Sequence, residues 1–186
     1  MKSKFLLITT LLCGFSAFSQ EIIKIYPAQV ANAKPTEKAE TFDRGMYRNV
    51  TVPTLEYIKP EKPNGTAVIV IAGGGYGVIV YNGEGLGTAK SLAEKGISAF
   101  VLKYRLPSDE IMVDKKIGPL QDVQQSIKYL RENAEKYGID KNKIGVMGFS
   151  AGGHLASTAA THFEKSYIEN PQNTNLRPDF QILVYP

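Results

Sequence analysis

The sequence is poor in the residues that build disulfide frameworks and metal sites. Its 186 residues include one cysteine, two histidines and no tryptophan. A single thiol cannot form an intrachain disulfide, and no Cys/His grouping has the spacing of a zinc site. Lys and Arg number 22 against 18 Asp and Glu, with the two signs interleaved and no basic stripe. We therefore expect no structural disulfide, no metal, no cofactor and no nucleic-acid partner.

Long apolar runs are also scarce, and the longest lies at the N-terminus. Lys2 and Lys4 precede an apolar segment from Phe5 to Phe18. Ala17 and Ser19 are small residues at the positions that a signal peptidase recognises before cleavage. The segment is shorter than the roughly 20 residues that cross a bilayer, which argues against the alternative of a membrane anchor. The pattern is typical of a secretory signal peptide, residues 1–19.

A second alternative is a lipoprotein signal at Cys13, but Leu12 stands where a lipobox requires a small residue. Cleavage after Ser19 would remove Lys2 and Lys4 and lower the formal net charge from +4 to +2. We therefore expect an exported protein, periplasmic or secreted, that consists of one domain, residues 20–186, and has no contact with the membrane after cleavage.

Strands and helices alternate from Thr66 onwards. Buried strands are predicted at residues 66–71, 97–102, 143–147 and 180–185, and helices at 84–95, 119–137 and 151–163. Two earlier strands, 22–26 and 47–58 with a break at Pro53, can extend the sheet at one edge. The alternation predicts an α/β fold with a mostly parallel sheet and helices on both faces. Because the chain stops inside the last strand, we expect it to be truncated, with later strands missing.

One short motif carries the chemistry. Gly148-Phe149-Ser150-Ala151-Gly152 fits G-x-S-x-G, with a buried strand before it and a helix of small residues after it. This strand–turn–helix setting is that of a nucleophile elbow, in which the serine stands at a tight turn. The alternative is an ordinary tight turn with an idle serine. The context predicts Ser150 as a nucleophile.

A second motif follows the first buried strand. Three consecutive glycines, Gly73 to Gly75, leave backbone N–H groups uncovered beside Tyr76. Such a loop supplies part of an oxyanion hole, and the residue after the nucleophile supplies the rest. The motif predicts Gly74, Gly75 and Ala151 as donors. The alternative of a phosphate-binding loop fits poorly, because the Gly-Lys-Ser/Thr ending is missing and the glycine spacing departs from G-x-G-x-x-G.

Together these segments resemble the α/β-hydrolase esterases that bacteria use in plant-polysaccharide breakdown, the acetylxylan-esterase and feruloyl-esterase-like group. The resemblance rests on Ala67–Tyr76, Phe100–Pro107, Pro119–Asp122, Ile144–Ala156 and Pro178–Pro186. It implies an α/β-hydrolase fold and a catalytic triad. The triad consists of a serine, an acidic residue (Asp or Glu) and a histidine, and the last two lie beyond residue 186. One departure is Ala72, where many relatives have His.

Neither histidine of the chain is predicted to be the general base. His154 lies one turn into the helix after Ser150, where the resemblance implies a structural role, and His162 lies further along that helix. Tyr76, Tyr81, Asn82 and Glu84 are candidate substrate contacts, and the alternative is that they are ordinary loop or helix-start residues. Tyr104 and Arg105 either face a ligand or anchor a loop through an ion pair.

We predict a serine-dependent carboxylic-ester hydrolase. The resemblance implies substrates with acetyl or feruloyl groups on xylan-like glycans, and the chain alone is expected to be nearly inactive without its base. The alternatives are a serine peptidase of the same fold and a glycan-binding relative that has lost catalysis. Xylanase chemistry is disfavoured, because no motif places a pair of carboxylates about a glycosidic bond. The oligomeric state is not predicted.

Overall fold

The computed structural model describes residues 20–186, so the predicted signal peptide lies outside the described residues. The strands are β1 Gln20–Lys24, β2 Thr41–Asp43, β3 Met46–Arg48, β4 Thr54–Ile58, β5 Ala67–Ile71, β6 Ser98–Lys103, β7 Ile144–Phe149 and β8 Gln181–Val184. The helices are α1 Thr88–Ala93, α2 Gly118–Glu132, α3 Ala134–Tyr137 and α4 Ala151–Thr161, with a π-helical segment at Tyr81–Gly87 before α1. Within this part of the chain, no helix combines the length and apolarity needed to cross a membrane.

Six strands form one sheet in the order β1-β4-β6-β5-β7-β8. Strands β6, β5, β7 and β8 are parallel, whereas β4 and β1 pair antiparallel at one edge. Strand β5 is buried along its whole length, because its neighbours cover both edges and side chains cover both faces. The mostly parallel sheet and its extension by the two early segments confirm the fold prediction.

The predicted single strand at 47–58 is wrong in one respect. Its first part, β3, pairs with β2 in a separate two-stranded ribbon, and only β4 joins the large sheet. Tyr47 also exchanges two backbone hydrogen bonds of 3.0 Å with Ile79. The ribbon therefore attaches to the segment that follows the glycine loop.

Helices lie on both faces of the sheet, as predicted. Successive side chains of a strand point to opposite faces. In β6, Phe100 packs edge-to-face on Tyr137 of α3, with ring centroids 5.4 Å apart, whereas Val101 lies against Gly85 of the π-helical segment. Helix α4 packs on α2 and β7.

Two predicted helices differ in their bounds. The predicted 84–95 helix begins as a π-helical turn at Tyr81 and ends at Ala93. The predicted 119–137 helix is divided at Asn133, whose backbone (φ −113°, ψ 22°) leaves the helical region. Its side-chain amide donates to the carbonyl of Tyr129 at 2.8 Å. Asparagine competes in this way with the helical backbone bonds, which accounts for the break.

The last strand is also less buried than predicted. Strand β8 lies at the edge of the sheet, and Ile182 and Leu183 are 39% and 38% exposed. Its hydrophobic sequence is typical of an interior strand, but within the described residues nothing pairs with its outer edge.

A fully buried ion pair joins the loop after β6 to α2. Arg105 and Asp122 are each 0% exposed, and the guanidinium Nη2 lies 2.6 Å from the carboxylate. The same carboxylate accepts from the backbone N–H of Arg105 at 2.9 Å and from the hydroxyl of Tyr26 at 3.0 Å. Arg105 also donates to the carbonyls of Ala31 and Gly118. Of the two alternatives for Arg105, the structure shows the loop anchor.

Candidate active site

Ser150 lies between the end of β7 and the start of α4. Its backbone has φ 48° and ψ −121°, a conformation with positive φ that is strained for a residue with a side chain. Its N–H donates to the carbonyl of Val184 and its carbonyl accepts from His154, at 3.0 and 2.9 Å. Ser150 is half-buried, so its hydroxyl is not sealed in the core. These values agree with the predicted elbow geometry.

Glycines on either side let the strand and the helix approach each other. A β-carbon built on Gly148 would lie 2.1 Å from the carbonyl oxygen of Gly152. One built on Gly152 would lie 2.2 Å from the carbonyl oxygen of Ile71 in β5. Both obstacles are backbone atoms, so no side-chain rotation can relieve them. The two glycines of the motif therefore fix how closely α4 approaches the sheet.

We expect Gly148→Ala to lower kcat/KM by about 100-fold or more, because the added methyl must push the start of α4 away and so misplace Ser150. Ester hydrolysis by the full-length protein would measure this. Gly83→Ala is the matched control, since its β-carbon meets Val80 at an ordinary 3.7 Å, and it should retain activity within about twofold. Equal activity of Gly148→Ala and wild type would refute the tight-elbow interpretation.

The glycine loop stands directly beside Ser150. A β-carbon built on Gly73 would lie 3.0 Å from the β-carbon of Ser150 and 2.6 Å from the carbonyl oxygen of Phe149. Gly74 and Gly75 have φ values of +130° and +60°, which only glycine adopts freely. The structure thus brings together the two motifs that are 75 residues apart in the sequence.

Three successive carbonyl groups, those of Ala72, Gly73 and Gly74, are engaged within the protein. That of Ala72 accepts from the Tyr104 hydroxyl at 2.9 Å, and that of Gly73 accepts from the Val80 N–H at 3.0 Å. The carbonyl of Gly74 accepts from two backbone N–H groups, those of Gly77 and Val78. Because these three acceptors are already paired, the groups that Gly74 and the Ala72–Gly73 peptide leave for a ligand do not include their carbonyl oxygens.

Three backbone N–H groups are available at this place. Within residues 20–186, those of Gly74, Gly75 and Ala151 have no hydrogen-bond acceptor. Gly75 is exposed and Gly74 and Ala151 are half-buried. Ala151 is also the first residue of α4, so the positive end of the helix dipole adds to the local field. The arrangement suits a developing negative charge on oxygen, which is the chemistry predicted for these three residues.

Tyr76 lies at the rim of a small cavity beside the loop. Its hydroxyl is 2.9 Å from Nδ1 of His154, and burial raises the pKa of Tyr76 to about 12, so the hydroxyl stays neutral. The cavity, about 280 Å³, has a mainly apolar surface to which Pro107, Leu120 and Leu155 contribute, and Lys115 and Lys116 also line it. Tyr76 is thus placed where a substrate contact is possible, and His154 has the structural contact that was expected.

Tyr81 is placed differently from the prediction. It is 4% exposed, and its hydroxyl donates to Glu56 at 2.7 Å inside the core. Burial and the Glu56 carboxylate raise the pKa of Tyr81 above its ordinary value. It packs edge-to-face on Tyr47, with centroids 4.9 Å apart. Tyr81 therefore anchors the β2–β3 ribbon and does not line the cleft.

The other half of a triad does not come from the nearby histidines. Among the described residues, no histidine or carboxylate forms a hydrogen bond with the Ser150 hydroxyl. His154 faces Tyr76, and His162 contacts Thr161 at the end of α4. Asp179 accepts from the N–H of Ile144 at 2.8 Å, so its carboxylate has a structural role.

Sequence reasoning missed the role of Glu84. One carboxylate oxygen accepts from the N–H of Gly73 at 2.6 Å and the other accepts from the Tyr185 hydroxyl at 2.8 Å. A carboxylate 11 positions after a glycine loop is the only signal that was available.

The sheet order, the strained serine at a strand–helix turn and the adjoining glycine loop define an α/β-hydrolase fold with a strand–turn–helix elbow at Ser150. The profile of the BD-FAE family matches residues 55–183. The chain belongs to the BD-FAE family.

Individual relatives agree with this assignment. The acetylxylan esterase of Xylanibacter ruminicola is 38% identical over 127 residues, 68% of this chain and 24% of that protein. The endo-1,4-beta-xylanase B of Butyrivibrio fibrisolvens is 35% identical over 139 residues, 73% of this chain and 21% of that protein. The chain thus spans about a quarter of the length of these curated relatives.

Among solved structures, an acetyl ester-xyloside bifunctional hydrolase from Caldicellulosiruptor lactoaceticus superposes with a TM-score of 0.64 at 34% identity. The match covers 88% of this chain and 56% of that one. The α/β-hydrolase fold and the relation to esterases of this group, both expected from the sequence, are confirmed.

Proposed function

We propose that the protein hydrolyses carboxylic esters with Ser150 as the nucleophile. The observation that carries the proposal is the position of Ser150, with positive φ at the start of α4 and beside a loop whose Gly74 and Gly75 N–H groups have no acceptor among the described residues. The relatives named above are esterases or are linked to xylan, which supports acylated xylan-like glycans, with acetyl or feruloyl groups, as the substrate class.

The reaction follows from the donors and the nucleophile. The Ser150 oxygen attacks the ester carbonyl carbon, and its proton passes to a general base. Negative charge develops on the carbonyl oxygen, where the N–H groups of Gly74, Gly75 and Ala151 receive it. The C–O bond to the alcohol breaks, the alcohol takes the proton, and an acyl-enzyme remains. Water, deprotonated by the same base, then releases the acid and restores Ser150.

The general base is the part that the described residues do not supply. The resemblance assigns it to a histidine on a later strand, oriented by an acidic residue. The proposal therefore concerns the protein with any sequence that follows residue 186, and experiments should use that full-length form. Export by the N-terminal segment 1–19 is a further part of the proposal, which mass spectrometry of the secreted mature N-terminus would test.

Substrate assays separate the candidate functions. We expect the full-length protein to hydrolyse p-nitrophenyl acetate and to release acetic or ferulic acid from acylated xylan, at kcat values in the ordinary range of about 1–10³ s⁻¹. Peptide anilides should not be cleaved. Peptidase activity without ester hydrolysis would favour the peptidase alternative. Xylan binding without release of acid would favour the non-catalytic alternative.

A further inference from the structure

One peptide unit of the glycine loop is held at both ends by side chains. The carbonyl of Ala72 accepts from the Tyr104 hydroxyl at 2.9 Å, and the N–H of Gly73 donates to Glu84 at 2.6 Å. The two groups belong to the same planar peptide unit, so the two bonds together fix its rotation. The next two N–H groups along the chain are those of Gly74 and Gly75.

Both side chains are themselves held in place. Tyr104 follows β6 and is 0% exposed, and burial raises the pKa of its hydroxyl, which therefore stays protonated and donates. Glu84 lies in the π-helical segment, and its second oxygen accepts from the Tyr185 hydroxyl. A carboxylate that accepts from a backbone N–H forms a stronger bond than a neutral acceptor does.

Within the described part of the chain, the Glu84 carboxylate is not held in place by an ion pair. Among the described residues, no Lys, Arg or His forms a salt bridge with it. It is half-buried beside Gly73, on the same side as the nucleophile, since a β-carbon built on Gly73 would lie 3.1 Å from the carboxylate and 3.0 Å from the β-carbon of Ser150. A half-buried carboxylate loses part of its hydration. In the absence of a cation among these residues, the hydrogen bonds from the Gly73 N–H and the Tyr185 hydroxyl offset this loss.

We propose that Glu84, together with Tyr104, is a positioning residue for the reaction. It acts through the Ala72–Gly73 peptide, whose orientation sets the direction of the Gly74 and Gly75 N–H groups. This inference rests on the proposed ester hydrolysis at Ser150. It adds that the donors are effective because two side chains from different elements immobilise one peptide plane before substrate binds.

The first experiment compares two replacements of Glu84 in the full-length protein. We expect Glu84→Ala to lower kcat for p-nitrophenyl acetate by about 30- to 100-fold, because the donors lose their direction, and to leave KM within about twofold. Glu84→Gln keeps an oxygen that can accept from Gly73, so it should recover kcat to within about fivefold of wild type. Glu94→Ala, at an exposed glutamate after α1, is the matched control and should behave as wild type.

The second experiment is a double-mutant cycle with Tyr104→Phe, which keeps the ring and removes only the hydroxyl. We expect this single change to lower kcat by about tenfold. The combined Glu84→Ala/Tyr104→Phe variant should lose much less than the product of the two single effects, because both act on one peptide unit. Affinity for an aryl trifluoromethyl ketone, whose adduct with serine places an oxyanion in the hole, should fall in parallel with kcat/KM.

The outcomes separate this inference from the proposed function. If the wild type hydrolyses esters and Glu84→Ala and Tyr104→Phe both keep full kcat, the positioning role is overturned while the esterase stands. A Glu84→Gln variant as impaired as Glu84→Ala also overturns it, since geometry would then not be what Glu84 provides. An inactive wild type tells against ester hydrolysis itself. Circular dichroism of each variant confirms the fold, and Tyr104→Phe supplies the answer should Glu84→Ala unfold.

Discussion

Replacing Ser150 with alanine is expected to lower ester hydrolysis by the full-length protein by about 10⁴-fold or more. The loss should be this large because the change removes the proposed nucleophile, whose β-carbon lies against the glycine loop, 3.0 Å from a β-carbon built on Gly73. KM for the substrate should change little, since the oxyanion donors and the pocket beside Tyr76 remain. Steady-state kinetics with p-nitrophenyl acetate would measure both constants.

A fluorophosphonate probe gives an independent measure of the same change. Wild type should be labelled covalently, and labelling should disappear in Ser150→Ala. Ser157→Ala is the matched control, because Ser157 lies on the same helix α4 and is half-buried like Ser150. It should be labelled as wild type is. Labelling that persists in Ser150→Ala would assign the nucleophile to another residue.

The elbow was predictable from sequence because its signals are local. Gly148 and Gly152 stand at fixed offsets from Ser150, and the elements before and after them show their own periodicity. The glycine loop was equally local, and the topology of a parallel sheet brings the carboxyl ends of β5 and β7 to one edge. Two motifs that each depend on neighbouring residues were therefore enough to predict that Ser150 lies beside the glycine loop.

The residues that support the loop were not predictable in the same way. Glu84 bonds Gly73 because a π-helical segment, which no periodicity announces, begins at Tyr81. The same segment turns Tyr81 into the core, so a tyrosine that was predicted to contact substrate bonds Glu56 instead. A shift of one residue in the start of a helical segment changes which side chains point into the core. A hydrophobic pattern does not define the start of the segment that accurately.

The early strands and the last strand show the same limit at the level of packing. Residues 47–58 were predicted to be one strand with a break at Pro53, but β3 already ends at Arg48, where Asn49 has a φ of 52°, and β4 begins only at Thr54. Strand β8 is as hydrophobic as an interior strand, yet Ile182 and Leu183 are more than a third exposed. The hydrophobicity of a strand shows that it favours a buried position. Whether it is buried depends on which other segments pack beside it, and the sequence of the strand does not specify them.

The largest loss of stability is expected from Asp122→Ala. This change leaves the guanidinium of Arg105 buried at 0% exposure without its counter-ion, and it removes the acceptor of the Tyr26 hydroxyl. Breaking a buried pair in this way costs about 3–5 kcal/mol, since the remaining charge cannot regain its hydration. Denaturant-induced unfolding of the full-length protein, with the free energy of unfolding extrapolated to water, would measure the loss.

Two further variants identify the cause. Asp109→Ala removes the partner of Lys115 in an exposed pair and should leave the unfolding midpoint unchanged, because solvent screens that interaction. The double variant Arg105→Met/Asp122→Leu should recover part of the stability lost in Asp122→Ala, since no unpaired charge then remains in the core. If the double variant is no more stable than Asp122→Ala, the loss comes from the hydrogen bonds to Tyr26 and to the loop backbone. In that case Asp122 holds the loop after β6 through its polar contacts, and its charge contributes little to the fold.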